Sequence, residues 1–206
     1  MIKATDVKDL RDKTGAGMMD AKKALEESGG DLEKAIEWLR KKGQQVAAKK
    51  QSERTAHEGM IESYIHGNSR VGVLLELNCE TDFVARNEEF KALAHDIAMH
   101  IAAMSPEYIS AEDIPADVIE KEKEIEAEKL KTEGKPEEMI EKILEGKVKK
   151  FAGEVCLLDQ VFVKDDKTTV EDVVNNATQK LGEKIVIRRF VRYSLEGDPI
   201  MCSIKE

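Results

Sequence analysis

From position 71 the chain alternates. Val71, Val73, Leu75, Leu77 and Cys79 share one apolar face, with Gly72, Leu74, Glu76 and Asn78 between them, the period of a half-buried β-strand. From position 90 the period lengthens: Phe90, Leu93, Ala94, Ile97, Ala98 and Ile101 recur at helical spacing as one stripe of an amphipathic helix. The change of period falls in Asn78-Cys79-Glu80-Thr81-Asp82-Phe83-Val84-Ala85-Arg86-Asn87. This stretch holds two helix-start signals, Thr81 and Asn87, the second followed by Glu88 and Glu89. Two such signals predict a short helical turn, a break and then a long helix. Asp82 and Phe83 would sit on the resulting corner, at the edge of a sheet.

Phe83 admits two readings. It lies seven residues before Phe90, so one uninterrupted helix would put both rings on the buried face, where large apolar side chains are usually found. Asp82 would then be a first-turn carboxylate favoured by the helix dipole. In the sharper reading Phe83 is an exposed wedge beside an acid, of the kind that anchors a protein partner. Periodicity alone does not separate the two.

The same patterning divides the rest of the chain. Met60 to His66 and Arg70 to Asn78 read as the two arms of a β-hairpin with Gly67-Asn68 at its turn. The first forty residues predict three short helices. Thr5 is the expected cap of the first, with Val7 and Leu10 inward and a stop at Gly15. The second carries Met18, Ala21 and Leu25 on one side. Asp31 opens the third, with Leu32, Ala35, Ile36 and Leu39 as its stripe and Gly43 after it. Neighbours on a helix cannot both face one small core, so one of Met18 and Met19 is expected inside and the other as an adaptable contact surface. Residues 44–56, with Lys49, Lys50 and Arg54, read as a partly helical linker with a solvated basic face.

Residues 115–152 predict a charged, antiparallel helical hairpin. Val118 and Ile125 are on one arm, Gly134-Lys135-Pro136 is at the turn, and Ile140, Leu144, Val148 and Phe151 are on the other arm. In the tail, 155–158 and 161–163 are strand-like. Thr168-x-x-Glu171 reads as a capping box before a helix that Gly182 closes. A last strand would place Ile185, Ile187, Val191, Tyr193 and Leu195 on one face. The class is α+β: a three-helix domain at 1–43, the linker, and a core at 57–206. That core is a small antiparallel sheet packed by helices, with a protruding helical hairpin.

Charge and chemistry narrow the function. With 206 residues, net charge −9, 36% charged and 4% aromatic residues, the chain is poorly suited to phosphate backbones, which are held by Lys and Arg. Its partner is expected to be a protein and not a nucleic acid. No apolar run approaches the length of a membrane span, and no signal-peptide core opens the chain, so a cytoplasmic protein is expected. Cys79, Cys156 and Cys202 have no metal-type spacing. His95 and His100 are five apart, about 140° round a helix, and read as ordinary helix residues, so no metal or cofactor is expected. Gly15-x-Gly17 lacks the spacing of a phosphate loop. A metal-dependent hydrolase would need Glu76, Asp82 and His95 to converge, and no motif supports that.

The N-terminal pattern resembles ubiquitin-associated-type three-helix domains, which bind other proteins. Thr14-Gly15-Ala16-Gly17-Met18-Met19-Asp20-Ala21-Lys22-Lys23-Ala24-Leu25, together with the 78–87 stretch, resembles the bacterial translation elongation factor Ts family over essentially the whole chain. The resemblance implies a guanine-nucleotide exchange factor for elongation factor Tu, GDP-bound and nucleotide-free, and not an enzyme. It places the family's partner-binding motif on Thr81, Asp82, Phe83 and Val84. There Phe83 would be a wedge between helices of the partner, and Asp82 would help dislodge the partner's magnesium ion. Met18 and Met19 would dock on the same partner domain. The resemblance turns the reading of Phe83 from core to wedge. A chain of this length resembles the short form of the family, which implies a homodimer with the tail after Val155, Cys202 included, as its surface. The alternative is an adaptor that binds through its N-terminal helices and has no exchange activity.

Overall fold

The computed structural model describes residues 2–67, 69–134 and 136–204, without the side chains of 44, 46–52 and 138. Asn68 and Lys135 of the two expected turns, and the Lys49 and Lys50 side chains, lie outside the described residues. The class is α+β, with a four-stranded antiparallel sheet in the order β1-β2-β3-β4. The strands are β1 (Glu58–His66), β2 (Val71–Cys79), β3 (Val186–Ser194) and β4 (Gly197–Ser203). The chain divides into two compact units, one of Met1–Met60, Leu77–Leu93 and Asp172–Val186, the other of Ile61–Glu76, Ala94–Glu171 and Ile187–Glu206.

In the first unit, α1 (Ala4–Thr14), α2 (Met18–Glu27) and the start of α3 (Leu32–Glu53) close around an aliphatic core, chiefly Val7, Leu10, Ala21, Ala24, Leu25, Ala35 and Leu39. Thr5 is not the cap of α1. The helix begins at Ala4, and the Asp6 carboxylate instead accepts the Lys3 N–H at 3.1 Å. Asp31 does cap α3, accepting the Lys34 N–H at 3.1 Å. Gly43 does not end α3, which continues ten residues further. The Gln179 amide of α8 (Val170–Leu181) lies over Gly43, 2.6 Å from where a Cβ would stand. Close approach, not chain reversal, is what the glycine supplies. Arg40 of α3 is paired with the buried Asp172 of α8 at 2.8 Å. The expected capping box falls one residue early. α8 starts at Val170, the Thr168 hydroxyl bonds the Asp165 carboxylate and the Glu171 N–H bonds the Leu158 carbonyl.

In the second unit, α6 (Ala116–Thr132) and α7 (Glu137–Val155) form the expected hairpin, with Leu130 and Ile140 buried. Ile125 is exposed, contrary to the heptad reading, and the neighbouring Glu126 turns inward. Its carboxylate meets the Lys129 ammonium at 2.6 Å and the Lys147 ammonium at 2.9 Å, so two cations make a charged residue tolerable there. The segments at 155–158 and 161–163 are not strands. Each makes one isolated bridge, Tyr108 with Cys156 and Val161 with Thr169; Cys156, Leu157 and Phe162 are buried, whereas Val161 and Val163 are exposed.

The expected single face on β3 also fails. Ile187 is buried, but from Phe190 onward the even positions turn inward while Arg189 and Tyr193 are exposed. Arg192 can point inward because its guanidinium donates to the Ala102 carbonyl at 3.2 and 3.3 Å. β4 has no counterpart in the sequence reading. It pairs with β3 across a register break in which Asp198 and Pro199 oppose Tyr193, a bulge on an edge strand where proline is tolerated.

Candidate functional site

The alternation on β2 is realised: Val73, Leu75, Leu77 and Cys79 are all buried. The strand ends at Cys79, and Thr81 then takes an extended conformation (φ −131°, ψ 156°) as N-cap of α4 (Asp82–Ala85), accepting the Val84 N–H at 3.5 Å. The helix lasts one turn. Asn87 starts α5 (Glu88–Met104), its amide oxygen accepting the Glu89 N–H at 2.8 Å. Phe90, Leu93, Ala94, Ile97, Ala98 and Ile101 of α5 are buried. The break between the two helices separates two rings that a continuous helix would align. Phe90 is fully buried and Phe83 is 83% exposed. Asp82 is ion-paired with Arg86 at 3.1 Å.

The corner is held from beneath. The Cys79 thiol donates to the Thr81 carbonyl at 3.2 Å. Burial first, and the negative charge of Glu183 second, push this thiol up to about 11, which keeps it a donor at neutral pH. The Glu183 carboxylate accepts the Glu80 N–H at 3.1 Å, the Thr81 N–H at 3.0 Å and the Thr81 hydroxyl at 2.6 Å. Arg54, expected on a solvated face, instead donates to the Glu80 carboxylate at 3.0 and 3.1 Å. Sequence reasoning missed Glu183, because a lone acid after a helix stop carries no local signal.

Met18 and Met19 open α2, and both are exposed, at 50% and 74%. The expectation that one would be core is wrong, because Ala16, Ala21, Ala24 and Leu25 already fill the interior. With Ile2 and Val7 the two methionines line a groove of about 630 Å³, edged by Lys3, Lys8, Arg11 and Lys22. A second apolar surface lies in the other unit, where Ile61, Ile65, Leu74, Tyr193 and Met201 on the strands and Leu195 in the β3–β4 turn are exposed.

The hydrolase constellation is engaged elsewhere: Glu76 with Arg189 at 2.6 Å, His95 with Glu62 at 3.0 Å, and Asp82 with Arg86. His100 is buried. Gln160 lies 3.0 Å from its Nε2, the Val163 N–H donates to its Nδ1 at 3.2 Å, and it stacks on Phe162. Among the described residues no cluster of His, Cys, Asp and Glu could hold a metal ion, and no helix is long and apolar enough to cross a membrane.

Comparison with known proteins gives this geometry its context. A match to the protein-family model described as elongation factor TS covers residues 5–197. The chain belongs to the elongation factor Ts family. Its relatives include the elongation factor Ts of Moorella thermoacetica, 57% identical over 203 residues, which is 98% of this chain and 99% of that protein. The elongation factor Ts of Thermosipho melanesiensis is 59% identical over 195 residues, 95% of this chain and 99% of that protein. That of Desulforamulus reducens is 59% identical over 194 residues, 94% of this chain and 89% of the relative. Membership of the elongation factor Ts family places the chain among the elongation factors of protein biosynthesis.

Proposed function

We propose that this chain is a guanine-nucleotide exchange factor for elongation factor Tu, acting in the cytoplasm on the GDP-bound form and holding the nucleotide-free form after release. The observation that carries this reading is the Phe83 ring, 83% exposed on a one-turn helix whose entry is fixed by hydrogen bonds from Thr81 and Glu80 to Glu183. An aromatic ring left in water on a fixed corner gains by entering an apolar slot, and little conformational entropy is lost when it does.

Phe83 acts as the wedge between helices of the partner's nucleotide-binding domain. Thr81 and Val84 set its angle, and Asp82 rearranges the groups around the partner's magnesium ion. Magnesium demands near-octahedral coordination at short distances, so a shift of one ligand or bridging water by a fraction of an ångström loosens it. Phosphate charge is then uncompensated and GDP leaves. The effect is reciprocal: the factor by which this chain weakens GDP binding is the factor by which GDP weakens binding of this chain. No covalent bond changes, so the activity is exchange and not catalysis of a reaction.

The groove at Met18 and Met19 docks on the same partner domain, with residues 1–43 as the docking domain, 44–56 as the linker and 57–206 as the core. Two copies associate. The exposed apolar strand surface of the second unit supports that reading, and Cys202 lies beside it on β4.

The test is release of a fluorescent GDP analogue from elongation factor Tu, with this chain added in catalytic amounts. Acceleration that falls in Phe83→Ala and Asp82→Ala supports the reading. Tight binding without acceleration at any magnesium concentration would leave the chain an adaptor.

A further inference from the structure

The corner is carried by residues a hundred positions away in the sequence. α8 ends at Leu181, and Gly182 follows in a left-handed conformation (φ 80°) with its N–H bonded to the Thr178 carbonyl. That turn, which L side chains rarely adopt, delivers Glu183 and Lys184 to the end of β2. The two segments then exchange hydrogen bonds. The Glu183 carboxylate takes the Glu80 N–H, the Thr81 N–H and the Thr81 hydroxyl. In return the Glu80 carboxylate takes the Lys184 N–H at 2.6 Å. Arg54 closes the loop, its guanidinium on Glu80 and its carbonyl accepting the Lys184 ammonium at 2.9 Å.

We infer that Glu183 is a positioning residue for exchange: its carboxylate fixes the direction from which Phe83 leaves the sheet. The inference rests on the reading of Phe83 as the wedge. Three donors converge on Glu183 and none of them is a formal charge, so the group's role is geometric, not that of an ion-pair partner. A carboxylate suits the site because it is acceptor-only. The Thr81 hydroxyl accepts the Val84 N–H and donates its own proton to the carboxylate, which has none to give. Glutamine keeps one oxygen for the backbone donors but turns an NH₂ towards the third, so it restores part of the arrangement. Alanine restores none.

α8 also ties this clamp to the rest of its unit. Asp172 at its start holds Arg40 of α3, and Lys180 near its end holds Glu89 at the start of α5, 2.7 Å away. Within that unit the helix bearing the Phe83 support is therefore fixed to the helix that follows the corner and to the helices that present Met18 and Met19.

The test measures the saturating rate of GDP-analogue release and the half-saturating concentration for Glu183→Ala, Glu183→Gln, Phe83→Ala and the Phe83→Ala/Glu183→Ala double variant. Amide exchange at Glu80 and Thr81 in the free protein reports the clamp directly. The expected result is a tenfold or greater fall in the saturating rate for Glu183→Ala, with half-saturation changed less than threefold. Glu183→Gln should fall between alanine and the wild type, and the Glu80 and Thr81 amides should exchange faster. In the Phe83→Ala background, removing Glu183 should cost less than a further twofold. The same factor in both backgrounds would overturn the inference, because loss of fold acts whether or not the ring is present. So would an unchanged rate for Glu183→Ala beside a slow Phe83→Ala. If Phe83→Ala itself exchanges at the wild-type rate, the wedge reading fails and the role of Glu183 in exchange fails with it, whereas fast amide exchange in Glu183→Ala would still record the clamp.

Discussion

Phe83 and Phe90 are the same side chain seven residues apart, and the protein treats them in opposite ways. Phe90 opens the apolar stripe of α5 and is fully buried, whereas Phe83 stands on α4 in water. The two helices are built from similar parts, each opened by a side-chain cap, Thr81 for one and Asn87 for the other. They differ in what holds them. α5 is fixed by the area it removes from water, a large and non-directional term. α4 buries none of its four residues and is fixed by directional hydrogen bonds at its entry. Burial makes a helix stable and silent towards partners. A hydrogen-bonded turn can be rigid and still present an aromatic ring.

Substitutions can break that contrast or sharpen it. The largest stability effect belongs to α5: Phe90→Ala is expected to cost about 3–5 kcal/mol, as truncation of buried aromatics does, read as a drop in the urea midpoint. Thr81→Val removes the cap of α4 and one of the donors to Glu183. It is expected to cost about 1 kcal/mol and to slow exchange several-fold, a loss of function out of proportion to the loss of stability. Asp82→Ala opens only an exposed i,i+4 ion pair, so its stability should stay within about 0.5 kcal/mol of wild type, read by the same urea titration.

A pH experiment separates the regions without a cut in the corner. His100 lies on α5, and burial, partly offset by its hydrogen bond with Gln160, holds its pKa below the ordinary 6.5. The Val163 N–H occupies Nδ1, so the neutral ring is the one that fits. A depressed folded-state pKa contributes stability that is fully present above the unfolded value and is lost as the pH falls through the folded one. Stability should therefore decline below pH 6.5, and His100→Gln should flatten that part of the profile. A profile unchanged by the substitution would remove His100 from the account.

Much of this was legible in the chain. The alternation on β2 and the stripes on α5 and the helical hairpin follow from short-range periodicity, which the backbone obeys wherever one face is buried, and the break between Thr81 and Asn87 follows from their capping side chains. Exposure was not legible in the same way. Periodicity put Phe83 on a face, and the residues themselves left that face ambiguous until the family resemblance was weighed. Met18 and Met19 misled because alanines and leucines already fill that core and leave room for neither. β4 was hidden by Asp198-Pro199, which reads as a turn and is accommodated at a bulge on an edge strand. The phase of β3 has changed by Phe190, and Arg192 can follow it inward because the Ala102 carbonyl on α5 accepts its guanidinium. Glu183 could not be read at all, since its meaning lies in donors a hundred residues away.

In the proposed function the exposed ring of Phe83 performs exchange from a corner that does not depend on it for stability. The most direct measurement is the saturating rate of GDP-analogue release for Phe83→Ala beside the wild type, with urea unfolding of both. The expected release rate is at least tenfold lower, about 1.4 kcal/mol or more in the barrier, with unfolding midpoints that coincide. A variant that releases GDP as fast as the wild type, or that slows only because it unfolds, would contradict it.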